Sequence, residues 1–359
     1  MKLTLSQQKA INYFREYTKT RQESAREDIE HVLKMSDLTW EEYQQALNSI
    51  RKYARIALHF HPDRPGPDMK TVAESLLESG IYKSQFETLI SNGSVSAFPG
   101  GARDVWENTL FHGAYNLEGT TIDQRPKYGS LDLMLHSDGP SPRFGSCYFL
   151  LKPEVSARAT FTYLDSHQNP DEKGTIDEFD DIMRGLLNEC FSRSFAIGEH
   201  DIRPAELIRH FLQNLQQPYT NPATKLVRRN LDHYIEAQIH GSISLESDVE
   251  ILVIDPAFKA TDMGEIFQEI CQRYHIDLYT HPGFRLKPEE VPRDFRGPTM
   301  PSLAKRISDN NHVDVSHIGL ASLDLKTNPE RWADRGTYKE VLQELKLLWH
   351  VLVKYGKST

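Results

Sequence analysis

Three short stretches gather residue types that can do chemistry. The first, His59-Phe60-His61-Pro62-Asp63, spaces two imidazoles two residues apart and adds a carboxylate. On a strand, residues two apart face the same way. His59 and His61 can then supply two ligands to a metal ion, with Asp63, His200 or His281 completing a hydrolytic site. The preceding run, NSIRKYARIAL, has helical spacing, however, and on a helix residues two apart diverge. The plainer expectation is a helix C-terminus stopped by Pro62, with both histidines near the terminal carbonyls and Asp63 in an orienting role. The second stretch is LFHGAYN, 110–116, followed by RPKYGSLDL, 125–133. A strand ending in His112-Gly113 leaves its backbone open to close approach, because glycine has no Cβ. Tyr115 and Tyr128 can stack on a flat ring, and Arg125 can grip a pyrophosphate with two parallel hydrogen bonds. The third is DHYIEAQIHG, 232–241, just ahead of DVEILVIDP. In a strand, Glu236 shares its face with Tyr234 and Gln238. A carboxylate in a cleft can hydrogen-bond a ribose hydroxyl and stabilise an oxocarbenium-like centre. The ordinary alternatives are a turn with aromatic packing for the second stretch and an exposed strand glutamate for the third.

The elements that must position these residues are bounded by composition. The chain has 359 residues and 41.3 kDa, a comfortable length for two domains. A 38% hydrophobic share beside 26% charged residues excludes global disorder. A net charge of −9 without a long basic run argues against nucleic acid or a membrane surface as partner. The opening MKLTLSQQKAINYF lacks an apolar h-region, so the expectation is a cytoplasmic protein, or one exported as an effector without a classical signal peptide. Cys147, Cys190 and Cys271 are far apart and odd in number, which fits neither a disulfide framework nor a CxxC zinc site.

Helical spacing runs through Ile11, Phe14, Ile29, Val32 and Leu33, and again through Leu47, Ile50, Ala54, Ala57 and Leu58. A third helix is expected over 69–79, stopped by Gly80. The character changes near Ser91, where SNGSVSAFPGG reads as a loop. Strands are expected at 109–111, 147–151, 159–164 and 249–254, with helices inserted at 175–191 and 204–216. A helix at 262–274, a Pro-rich loop over 281–301 and an amphipathic helix over 338–354 follow. Strands interrupted by helices without a regular βαβ rhythm make the fold class α+β. Three regions result: an N-terminal helical region (1–90), a core (91–260, with a helical insertion about 171–216) and a C-terminal mixed or helical extension (261–359).

A basic helix with Arg51, Lys52 and Arg55 before His61-Pro62-Asp63 resembles the signature of J-domain co-chaperones, although SLLESGIYKSQFETL lacks the basic, aromatic third helix of that family. A wider resemblance joins the second and third stretches. LFHGAYN resembles the first core strand of PARP-like and diphtheria-toxin-like ADP-ribosyltransferases, RPKYGSLDL the place of their stacking aromatic, and YIEAQ the start of the strand that carries their glutamate. Together with HFHPDR, QFETLISNGSVSAFPGG and PRFGSCYFLLKPEVSARATFTYLDS, these segments resemble a bacterial domain-of-unknown-function family associated with effector transferases that modify a threonine of ubiquitin. The resemblance implies a split β-sheet and NAD+ as co-substrate, with no metal. It further implies a protein acceptor, with ubiquitin as the one the relatives bring forward. It makes Glu236 the catalytic glutamate, with Asp132 as its carboxylate partner and Asp104 as the alternative. It puts Gly113 on the nicotinamide amide, His112 on the adenosine-side ribose, Tyr128 (or Tyr115) on the nicotinamide ring and Arg125 on phosphate. The absence of an Arg-Gly-Thr start and of a plain Ser-Thr-Ser strand departs from the arginine-modifying toxins. A metal-dependent hydrolase built on His59, His61 and Asp63, or a co-chaperone, are the competing expectations.

Overall fold

A computed structural model describes residues 2–90 and 97–358; residues 91–96 of the expected polar loop lie outside them. The principal helices are α1 (Leu5–Met35), α2 (Trp40–Tyr53), α3 (Val72–Ser79), α4 (Ala102–Leu110), α5 (Asp180–Arg193), α6 (Pro204–Gln213), α7 (Asp262–Tyr274), α8 (Met300–Ile307), α9 (Val315–Thr327) and α10 (Tyr338–Tyr355). Four of them start on the same local device. Thr4, Thr39, Thr71 and Thr337 accept from the backbone three residues on, while Gln7, Glu42, Glu74 and Glu340 reach back to the cap N–H. Gly80 ends α3 with φ +62°, a conformation that favours glycine.

The helices surround one sheet. Its strands are β1 (Arg55–Phe60), β2 (Lys127–Asp132), β3 (Cys147–Leu151), β4 (Ala159–Tyr163), β5 (Lys173–Thr175), β6 (Ile235–Ile239), β7 (Val249–Ile254) and β8 (Asp277–Thr280). They lie in the order β8-β7-β3-β1-β2-β6-β4-β5, antiparallel throughout except for β7 with β8. The fold is α+β with a large mixed sheet. The sheet takes β1 from the first ninety residues and β8 from the last hundred, so neither of those regions stands apart from the core.

Strand alternation gives the sheet two unlike faces. Leu58, Leu131, Phe149, Phe161, Ile235 and Ala237 point into the main core, which they share with Leu33 of α1, Leu47 of α2 and Leu187 of α5. Register places Ala57 beside Ser130, Ser130 beside Glu236 and Glu236 beside Thr162 on the opposite face. That face is polar over its central strands. The two charges at the start of α5 are gathered onto the N-terminal helices: Asp180 accepts from Tyr43 at 2.7 Å and pairs with Arg26, while Asp181 pairs with Arg21.

Two expectations fail for identifiable reasons. The helical spacing through Leu47 and Ile50 ends at Tyr53, and Arg55–Phe60 is a central strand. A short apolar run buried on both faces carries no period of its own, so it extended the helix pattern ahead of it. Residues 109–111 belong to the end of α4 and to its cap, not to a strand. His112 and Gly113 follow with φ +49° and +76°, so the His-Gly pair is a helix stop that reverses the chain.

Gly129 of β2 faces the crowded side of the sheet, where a Cβ would sit 2.6 Å from the Ala57 carbonyl oxygen and 2.9 Å from Ile56 and Leu58 side-chain carbons. Gly129→Ala should therefore lower stability by about 1–3 kcal/mol, read as a lower urea midpoint at unchanged slope.

Candidate active site

Glu236 is the second residue of β6 and lies on the polar face, with Gln238 and, just before the strand, Tyr234 on its side. Its carboxylate is buried and lines a cavity of about 220 Å³. Oε1 accepts from Gln238 Nε2 at 2.9 Å and from the Ser166 hydroxyl. Burial and, after it, the nearby Asp165 push the Glu236 carboxyl up to about 7, against the opposing effect of the two hydrogen bonds and Arg103. Asp165 lies just past the end of β4, with its carboxylate accepting from the Tyr234 hydroxyl at 3.1 Å and from the His167 N–H at 2.9 Å. Two carboxylates thus face one cavity.

The walls are aromatic: Tyr128, Trp106, Phe144 and Tyr234 line the cavity. Tyr128 is fixed by donating to Glu107 Oε1 at 2.8 Å, and Arg103 lies 5.2 Å from its ring centre and 4.7 Å from that of Trp106. Three cations join the lining: Arg103 from α4, Arg143 from the loop before β3, and Lys346 from α10. The buried Nε atoms of Arg103 and Arg143 have no hydrogen-bond partner. Burial brings the Lys346 ammonium down to about 8, with Arg143, Arg64 and Arg296 adding to the fall. The last helix is anchored here by Trp349, whose Nε1 donates to the Pro142 carbonyl at 2.8 Å. Tyr82, Gln85 and Tyr128 also border a second cavity of about 350 Å³, walled by Phe60, Val72 and Leu76. Together the two reach the usual size of a small-molecule site, ~300–1,000 Å³.

Of the residues singled out in the sequence, Glu236, Tyr128, Tyr234 and His59 line this cavity. The others stand elsewhere. Asp132 is two residues beyond the partner of Glu236 on β2; it opens on a separate small cavity with His136, and burial raises its carboxyl to about 6. Asp104 and Glu107 bind the guanidinium of Arg125 at 2.6 and 3.0 Å, so Arg125 is a buried structural cation already occupied by two carboxylates. His112 stacks on Tyr13 of α1, with ring centres 5.2 Å apart. Gly113 lies in the turn after α4, away from any strand. Tyr115 is buried and hydrogen-bonded to His240. The carboxylate that joins Glu236 is Asp165, and the cations at the cavity are Arg103, Lys346 and Arg143, whose guanidinium also pairs with Asp232. Asp165 follows a strand that pairs with β6, a relation visible only once the pairing is known.

His59 does lie on a strand, contrary to the helical expectation. Its Nδ1 is 3.1 Å from the Gly145 carbonyl, its ring packs on Tyr148, and burial lowers it to about 3. His61 packs edge-on against Trp349. His281 sits 2.8 Å from the Ser146 carbonyl, and His200 packs on Phe195. Among the described residues no group of three or more His, Cys, Asp or Glu is arranged to hold a metal ion. The HPD segment follows a central strand, and His61 is buried.

The sequence signature of a family described as a protein of unknown function (DUF3626) matches residues 55–355. The chain belongs to this family. The family match opens at the first residue of β1 and closes at the last residue of α10, so it takes in the whole sheet and the helix that delivers Lys346, and leaves out α1 and α2. No curated protein matches the chain. No helix among the described residues is long and apolar enough to cross a membrane.

The raised carboxyl of Glu236 has a consequence for folding. Between its ordinary value of 4.5 and about 7, the folded state holds a proton that the unfolded chain has released. Stability is therefore lost as pH rises through that window. Glu236→Gln should be more stable than the parent at pH 8, by up to about 3 kcal/mol, with the difference vanishing near pH 4. Urea melts of both proteins across this range check it.

Proposed function

We propose that the chain is a NAD+-dependent protein mono-ADP-ribosyltransferase, releasing nicotinamide and passing ADP-ribose to a hydroxyl of a protein acceptor. One observation carries this reading: a single cavity combines a buried carboxylate, aromatic walls and three cations. A dinucleotide presents the matching groups, a flat ring on a ribose and a diphosphate. Arg103 and Arg143 offer buried, unpartnered N–H groups, and Lys346 has no hydrogen-bonding partner among the described residues, so the residues present fit such a molecule. The resemblance of YIEAQ and RPKYGSLDL to transferase segments points the same way.

NAD+ supplies a cationic leaving group at its nicotinamide ribose. Tyr128, with Trp106 behind it, gives a face for that ring. Ionised Glu236 stabilises the positive charge that grows on the ribose as the C–N bond breaks and its electron pair leaves with nicotinamide. The acceptor oxygen then forms the new C–O bond, and Asp165 is the second carboxylate available to receive its proton. Arg103, Arg143 and Lys346 neutralise the phosphates.

The test is nicotinamide release by the purified protein in chelator, with cell lysate and with ubiquitin as acceptors. Glu236→Gln should lower release at least ~100-fold while NAD+ still binds. Release by the parent should fall as pH drops below about 7, where Glu236 takes up its proton. Full release by Glu236→Gln would overturn the proposal, and loss of activity in chelator would return attention to His59 and His61.

A further inference from the structure

The hydrogen bond that reaches Glu236 from Gln238 is the last link of a buried chain. Tyr115 Oη lies 2.5 Å from His240 Nδ1, and His240 Nε2 lies 3.1 Å from Thr160 Oγ1. Thr160 donates to Gln238 Oε1 at 2.8 Å, and Gln238 Nε2 donates to Glu236 Oε1 at 2.9 Å. Tyr115, Thr160, Gln238 and His240 are each at most 1% exposed, so water does not compete for these groups.

The chain has one direction that satisfies every group. The Tyr115 phenol keeps its proton because burial raises it well above its ordinary value, and His240 is its one hydrogen-bond partner among the described residues. Burial, with Arg158 and Lys127, keeps His240 neutral, so its ring carries a single proton. Tyr115 then donates to Nδ1, and Nε2–H donates to Thr160. Thr160 spends its proton on Gln238 Oε1, which turns the amide N–H toward Glu236. If the direction reversed, Gln238 would present its carbonyl to Glu236, which suits only the protonated acid. Thr162 accepts a second, longer bond from Gln238 Nε2 at 3.3 Å and supports the same orientation.

We propose that Tyr115, through His240, Thr160 and Gln238, is a positioning residue that orients the Glu236 carboxylate and favours its ionised form against the opposing effect of burial. Tyr115 packs with Phe111 against Ala10 and Phe14 of α1. The relay thus begins at a residue backed by the N-terminal helix, which lies outside the family match, and ends at the cavity. This gives LFHGAYN a role different from lining a ring pocket. The other groups facing Glu236 are Ser166, Asp165, Arg103, Tyr128 and Tyr234, with His59, Tyr82, His167, Arg143 and Lys346 around the same cavity; none of them belongs to the chain.

The inference rests on Glu236 being the working carboxylate, but its test separates the two. Glu236 is titrated in the substrate-free protein by carbon-13 carboxyl NMR, in the parent and in Tyr115→Phe, Thr160→Val and Thr160→Ser. Tyr115→Phe and Thr160→Val should each move its titration up by about one pH unit or more, whereas Thr160→Ser, which keeps the hydroxyl, should restore the parent value. The acid limb of nicotinamide release should move by the same amount, with KM for NAD+ unchanged. Unmoved titration in both Tyr115→Phe and Thr160→Val, with native melting behaviour, overturns the relay. A shifted titration in a protein that never consumes NAD+ would keep the relay and sink the transferase reading instead.

Discussion

The constraint on which the rest of the structure depends is the burial of one carboxylate on one face of a sheet. Glu236 is 5% exposed in the middle of an eight-stranded sheet, where an ionised acid is costly unless donors reach it. Ser166 and Gln238 supply those donors, and Arg103 supplies a charge of opposite sign. Satisfying them requires a strand on each side of β6, and those strands, β2 and β4, present Tyr128, Ser130, Thr160 and Thr162 on the same face. The polar face is a network that only this register completes, because a slip of one residue would turn Glu236 into the hydrophobic core.

The segments outside the central strands read differently in this light. The last helix looks like simple core packing from its apolar stripe, and most of it is: Val341, Leu345, Leu348 and Leu352 are buried. Lys346 interrupts that stripe and enters the cavity, held there by the bond from Trp349 to Pro142. At the other end of the chain, α1 packs on the turn after α4 that contains Tyr115. The site is thus braced from both termini.

How far the sequence could be read follows from what each signal measures. Val249–Ile254, Cys147–Leu151 and Tyr338–Tyr355 were legible because their apolar periods are unmixed and their boundaries carry turn or cap residues. Glu236 with Tyr234 and Gln238 on one face was legible because strand alternation needs no tertiary information. β1 was not, since its apolar residues continue the helical count from Leu47 and Ile50 until Ala54 turns extended. The His112-Gly113 pair was read as a strand end and is a helix stop, because both uses of glycine look the same in one dimension. Asp165 meets Glu236 through the pairing of β4 with β6, Arg103 and Arg143 reach the cavity from a helix and a loop distant in sequence, and Arg125 could not be known to be occupied before Asp104 and Glu107 were seen around it.

The most direct measurement of the central claim is a crystal structure of the Glu236→Gln protein grown with NAD+. The account predicts intact dinucleotide, its nicotinamide ribose beside position 236, its ring against Tyr128 and its diphosphate near Arg143 and Lys346. A dinucleotide bound away from position 236, or none at saturating NAD+, would contradict it.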